Sequence, residues 1–134
     1  MINSSNLNAY LRAKAGIKKA SKYHNSRIDV DGMKFDSKKE YEYYLYLQGL
    51  VRKGKATNLR RQVPFVLQDG FTDRYGQKQS PIRYVADFVY TNSDGETVVV
   101  DVKSKITEAN QTYRLKRKMF LKRYPEVAFV EVVR

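Results

Sequence analysis

Glu40, Asp87, Asp101 and Lys103 combine reactive residue types with a suggestive spacing. Asp87 stands in Tyr84-Val85-Ala86-Asp87-Phe88, and Asp101-Val102-Lys103 follows directly on Val98-Val99-Val100. Both acids and the lysine therefore interrupt apolar, strand-forming runs. Charge buried in a strand pair costs several kcal/mol unless it is paired or coordinates a metal. Phosphodiester hydrolysis would account for such a group, because it needs charge neutralised at the phosphate, an activated water and help for the leaving oxygen. A hard cation such as Mg²⁺ or Mn²⁺ takes one or two carboxylates, a backbone carbonyl, waters and the substrate phosphate. Asp87 and Asp101 offer the carboxylates and Val102 the carbonyl, while Glu40 offers a ligand for a second ion or a group to position water. Lys103, two residues after Asp101 and on the same face of its strand, is placed to contact the scissile phosphate or orient the water. The plainer readings are a capping box between Ser37 and Glu40 and a simple ion pair between Asp101 and Lys103.

Whether the acids meet depends on strand register. A two-residue turn at Asp94-Gly95 would set Asp87 opposite Val102 and send the two acids to opposite faces. A three-residue loop, Ser93-Asp94-Gly95 with Gly95 left-handed, sets Asn92 opposite Glu96 and Asp87 opposite Asp101, with Cβ atoms roughly 5 Å apart. Alternation favours the second register. It gathers Ile82, Tyr84, Ala86, Phe88 and Tyr90 with Val98, Val100 and Val102 on one apolar face. The other face then carries Val85, Val89 and Val99 beside Asp87, Asp101 and Lys103.

These strands need a scaffold, and composition bounds it. The 134 residues suffice for one core, and the 42% hydrophobic content is that of a globular chain. No apolar run nears the roughly 20 residues of a membrane span, and the first residues lack the pattern of a signal peptide. The absence of Cys excludes disulfides and thiolate metal sites and fits a cytoplasmic location, the host's cytoplasm for a phage-encoded chain. One histidine, His24, excludes a His-based metal cluster and reads as an ordinary exposed residue. With 26 basic and 14 acidic residues the formal charge is +12, which attracts polyanions, DNA among them.

Along the chain, residues 1–30 read as a basic arm, with a short basic helix from Asn8 to Lys22, and residues 31–134 as the principal domain. An extended pair, Arg27–Val30 and Gly32–Phe35, flanks Asp31-Gly32. A helix is expected from Ser37 to about Lys53, with Glu40, Tyr44, Leu47 and Val51 on its buried side, widened by Tyr41, Leu45 and Leu50. Its tyrosines follow helical spacing and read as packing rather than as base-stacking groups. The strand Gln62–Leu67 contains Pro64, which confines it to an edge or a bulge. From it, Gln62 and Gln68 are candidates to touch the site. A polar loop, Asp69–Pro81, carries Arg74 and Lys78. A basic helix from Glu108 to Tyr124 is expected to turn Leu115, Met119 and Phe120 inward and Arg114, Lys116, Arg117, Lys118, Lys122 and Arg123 outward. Pro125 ends it, and Val127–Val132 forms a last strand parallel to Val98–Lys103. The fold class is thus α/β (α+β): a mixed four-stranded sheet flanked by helices, in the order α-β-β-β-α-β.

Asp87 followed, after thirteen residues, by Asp101-Val102-Lys103, with Glu40 on an upstream helix, resembles the PD-(D/E)xK nuclease motif. Phe35–Glu40, Phe65–Gln68, Tyr84–Phe88 and Tyr113–Lys118 are similar to a family of short phage and prophage proteins thought to be such nucleases. That likeness spans roughly residues 32–134. Ala86 replaces the proline that usually precedes the first Asp. The resemblance implies a restriction-endonuclease-like core, Mg²⁺-dependent (or Mn²⁺-dependent) cleavage of DNA, and Glu40, Asp87, Asp101 and Lys103 as the active-site residues.

The leading expectation is a metal-dependent DNA endonuclease of phage or prophage origin. It is expected to select branched or junction DNA, because the chain holds no helix-turn-helix or zinc module to read base edges. Arg114, Lys116, Arg117, Lys118 and Lys122, with Arg74 and Lys78, are the expected DNA-backbone contacts. A homodimer is an expectation too, since cutting both strands needs two sites. The alternatives are a non-catalytic DNA-binding module on a nuclease scaffold, acting in phage replication, recombination or packaging, and an RNA-processing nuclease with the same site.

Overall fold

The computed structural model describes residues 27–133. The expected arm helix from Asn8 to Lys22 and His24 lie outside the described residues. The chain divides into two units after Ser37. In the first unit, β1 (Ile28–Val30) and β2 (Met33–Phe35) pair antiparallel. Asp31 and Gly32, both at positive φ (51° and 79°), form the two-residue turn that Asp-Gly favours.

The second unit begins with α1 (Lys38–Arg52). Then come β3 (Ala56–Gln68), the short β4 (Phe71–Thr72) and β5 (Lys78–Gln79), β6 (Ile82–Asn92) and β7 (Thr97–Lys103). A single turn, α2 (Lys105–Glu108), precedes α3 (Gln111–Arg123), and β8 (Ala128–Val133) completes the unit. The sheet order is β3-β6-β7-β8. The first two pairings are antiparallel and the last is parallel. The architecture is a mixed α+β fold, with a four-stranded mixed sheet packed between α1 and α3. β3, with Pro64, is an edge strand. Among the described residues no helix is long and apolar enough to cross a membrane.

Several details differ from the sequence reading. Residues 69–81 are not all loop, because β4 and β5 pair as a small hairpin. Its turn is built on Asp73, whose Oδ1 accepts from the N–H groups of Tyr75 and Gln77. The basic helix starts at Gln111, where the Asn110 side chain caps it; the residues before it form α2 under a Ser104–Thr107 capping box. Leu115 does not face inward: it is 60% exposed. Tyr113 and Phe120 are the buried residues of α3, with Met119 and Tyr124 packed beside them. On α1, Leu45 and Val51 are exposed, and Tyr43 packs in their place with Tyr44, Leu47 and Leu50. Tyr43 and Tyr44 both lie against Phe88, so these two tyrosines are packing groups.

The two cores reveal a switch of faces within the sheet. On the α1 side, Leu47 packs with Phe88, Val98 and Val100, flanked by Leu59, Tyr90 and Val102. On the α3 side, Phe120 and Tyr113 pack with Tyr84, Ala86, Val89, Val99 and Leu67, flanked by Val63, Phe65 and Ile82. Strand alternation would keep Leu59, Val63 and Phe65 together, and likewise Ala86 and Phe88. They are split because β3 changes face at Gln62 and β6 at Asp87. Arg61 pairs with Phe88 and Val63 with Ala86, so Gln62 and Asp87 stand directly opposite each other. Gln62 has φ of 50°, a left-handed conformation rare outside glycine, which breaks the alternation. The apolar face expected from Ile82 to Tyr90 is therefore two faces. Beyond the switch the strands belong to α3, whose end they meet through Tyr124 Oη donating to the Val66 carbonyl (2.8 Å) and Arg123 Nη1 to that of Leu67 (3.1 Å).

Candidate active site

The hairpin between β6 and β7 sets the site. Its loop is Ser93-Asp94-Gly95: Asn92 N–H donates to the Glu96 carbonyl (2.9 Å) and Gly95 N–H to that of Asn92 (3.0 Å). Gly95 adopts φ of 82°, open to glycine without strain. The Asn92 side chain secures the turn by accepting from the N–H groups of Asp94 and Glu96. Thr91 then pairs with Thr97 and Phe88 with Val100, the last pair of the ladder; the next step of this register is Asp87 to Asp101, whose charge acts on the Asp87 carboxyl.

The ladder ends at that step. In its alternation, Val102 N–H would next bond the carbonyl of Ala86. It donates to Asp87 Oδ2 at 2.7 Å. The strands part into a fork at the same level as the face switch, with a carboxylate in place of a ladder bond. The Val102 carbonyl points the same way as its N–H, since both groups of a strand residue face one neighbouring strand.

Asp101 is wholly buried (0% exposed), and neither carboxylate oxygen has a hydrogen-bond partner. Lys103 Nζ lies 3.2 Å from its Oδ2, misaligned for a hydrogen bond. The same ammonium sits 4.8 Å above the centre of the Tyr113 ring, an attractive cation–π arrangement. Tyr113 is itself fixed, its hydroxyl donating to Glu131, which also accepts from Arg117 Nη1 at 2.6 Å. Burial and then this contact to Glu131 raise the Tyr113 phenol well above its ordinary value. Tyr84, buried next to Asp101, is raised by burial and then by the Asp101 charge.

Asp87 is 8% exposed and its carboxyl is pushed up to about 7. Burial is the main cause and the Asp101 charge the next; the Val102 N–H opposes them, Glu40 adds to them, and Lys103 opposes them. Glu40, on the first turn of α1, is 3% exposed. It meets Asp87 through Gln62, whose Nε2 donates to Glu40 Oε1 (3.0 Å) and, more weakly, to Asp87 Oδ1 (3.4 Å). The left-handed backbone of Gln62 thus aims an amide between two acids.

Glu40, Asp87, Asp101, Val102 and Lys103 are brought together, and Gln62 joins them. Gln68 lies further along β3, opposite Ile82. Among the described residues no three His, Cys, Asp or Glu side chains gather as a ready-made metal cage. The orphaned oxygens of Asp101, facing Asp87 beside the Val102 carbonyl, do suit a cation that completes its shell with water and substrate, as Mg²⁺ does.

The expected DNA contacts divide. Arg114, Lys118 and Lys122 are exposed on α3, and Arg74 and Lys78 on the β4–β5 hairpin. Arg117 is bound to Glu131, and Lys116 is half-buried beside Lys103 in a cavity that also takes in Arg83. Arg83 and the Tyr113–Glu131 pair escaped the sequence reading. An exposed arginine on a strand reads as a solvated residue, and the tyrosine and glutamate meet only through the β8 crossover.

A family model described as a protein of unknown function (DUF1064) matches residues 20–134. No curated protein and no solved structure matches the chain.

Proposed function

This chain belongs to the DUF1064 family, and we propose for it a function that the family's description leaves open. It is a Mg²⁺-dependent DNA endonuclease with a restriction-endonuclease-like core and a PD-(D/E)xK-type site, acting on branched or junction DNA. The observation that carries the reading is Asp101, a fully buried carboxylate with two orphaned oxygens, facing a second buried acid with a lysine alongside. Such a cluster destabilises the fold by several kcal/mol. A structural role would have been served better by an apolar pair, whereas a cation-assisted reaction needs this charge.

Asp87 and Asp101 would hold the ion with the Val102 carbonyl. When bound, it supplies charge neutralisation at the phosphate and Lewis-acid polarisation. Lys103, held by Asp101 and the Tyr113 ring, meets the phosphate and stabilises the charge that grows on its oxygens. The Val102 N–H and the Gln62 amide fix the two oxygens of Asp87, and Gln62 ties Glu40 into the same frame, so the acids are oriented before substrate arrives. Desolvation by the two apolar cores strengthens each of these interactions.

The test is a cleavage panel of linear, flap, splayed and four-way DNA in Mg²⁺, Mn²⁺ or Ca²⁺. Asp101→Asn and Lys103→Met are expected to lower cleavage by about 10²–10⁴-fold while still binding DNA. Variants that cut as fast as the parent in Mg²⁺ rule the reading out.

A further inference from the structure

Where β6 and β7 part, a cavity of about 340 Å³ opens between the first half of β6, the end of β7, and α2 with the first turns of α3. Arg83 from β6, Lys103 from β7 and Lys116 from α3 line it, and no carboxylate does. Lys103 is balanced by Asp101, but Arg83 and Lys116 reach the same cavity from two other elements, and cations that face one cavity suit an anion between them. Arg117 and Arg123 are already neutralised by Glu131 and Asp69, whereas neither Arg83 nor Lys116 is in a salt bridge among the described residues. Tyr84 forms part of the wall, its hydroxyl buried beside the Asp101 charge. Unpaired cations match phosphate oxygens, the fork of arginine in two bonds and lysine as a point charge. The volume exceeds that of a lone phosphate and leaves room for the attached sugar along Val85 and Tyr113.

We propose that this cavity is a subsite for the DNA backbone phosphate next to the one cleaved, with Arg83 and Lys116 as its cationic ligands. The inference rests on the nuclease reading, because Lys103 is common to both sites. It gives the bound strand a path, from the acids in the fork toward the N-terminal end of α3. It also separates Lys116 and Arg83, which grip the strand near the chemistry, from Arg114, Lys118 and Lys122, which face solvent on α3.

The experiment compares Arg83→Ala/Lys116→Ala with Lys53→Ala/Lys55→Ala, a pair of exposed residues at the far end of α1 that removes the same charge. Binding of a labelled oligonucleotide is followed by fluorescence anisotropy in Ca²⁺ over a range of salt, and cleavage is measured in Mg²⁺. The subsite pair is expected to weaken binding about tenfold or more and to reduce the salt slope by about 1–2, raising KM with little change in kcat. The control pair is expected to stay within about twofold of the parent. If both pairs bind DNA alike, the subsite is refuted, whatever the parent cleaves. If the parent cuts no DNA but the subsite pair still loses binding relative to the control, the nuclease reading falls, and with it the placement beside a cleaved phosphate, while Arg83 and Lys116 stand as phosphate contacts.

Discussion

Replacing Asp87 with Asn tests whether the fold is working against its own site. The folded-state value of about 7 lies above the ordinary 3.8, so the folded protein holds this proton more tightly than the unfolded chain does. The stability contributed by the group is complete below about 3.8 and is lost as pH rises through about 7. The full span corresponds to at most about 4 kcal/mol, and relaxation around the charge brings the expected loss to about 1–3 kcal/mol. Asn retains an oxygen for the Val102 N–H, now 2.7 Å from Asp87 Oδ2, and Gln62 keeps its 3.0 Å bond to Glu40 while giving up only the weaker 3.4 Å bond to position 87. Urea unfolding with a chelator present, at pH 5 and pH 8, reads the effect. The parent should lose about 1–3 kcal/mol relative to Asp87→Asn across that interval, leaving the variant the more stable at pH 8. Mg²⁺ or Mn²⁺ at pH 8 should then raise the parent and not the variant. A variant less stable than the parent at pH 8, with the same pH slope, would show that Asp87 is not a strained carboxylate, and the reasoning would fail.

Three further substitutions bear on the elements around it. Gln62→Gly releases a left-handed side-chain residue, so urea stability should stay within about 1 kcal/mol of the parent; cleavage should fall more than about tenfold, because the amide between Glu40 and Asp87 is gone. Gly95→Ala puts a Cβ on a residue at φ of 82° and should cost about 1–2 kcal/mol in thermal unfolding, with cleavage per folded molecule unchanged. Phe88→Ala empties a fully buried place beneath Tyr43 and Tyr44 and should cost about 3–5 kcal/mol by denaturant titration.

The register of the β6–β7 hairpin was legible in the sequence because two local signals agree on it: the Gly95 position in the loop and the match of Phe88 and Tyr90 to Val100 and Val98 on one face, the part of the expected apolar face that holds. Helix α1 was legible from its start and stop signals, but its buried stripe was not. Leu45 and Val51 are as apolar as Tyr43, and only the position of Phe88 decides which of them is covered. On α3, leucine at 115 outweighed tyrosine at 113 in hydropathy. Yet the helix buries Tyr113 and Phe120, and the rings of Phe120 and Tyr124 meet Phe65, Tyr84 and Phe129 of the sheet. The face switch was hidden because it depends on a left-handed Gln62, a state that no propensity assigns to glutamine. The acids of the site were visible as charges in apolar runs. The coupling of Glu40 to Asp87 through Gln62 was not, since it is made across the switch.

That switch has a mechanical consequence. The core under α3 runs unbroken past Asp87, from Tyr84 and Ala86 to Val89 and Val99, whereas α1 packs only on the hairpin side, over Phe88, Val98 and Val100. The fork is thus spanned on one face by apolar packing and across the strands by a single N–H, that of Val102. The distance between the two carboxylates is set by side chains rather than by a backbone ladder, so a substitution under α3 reaches the acids without disturbing the hairpin.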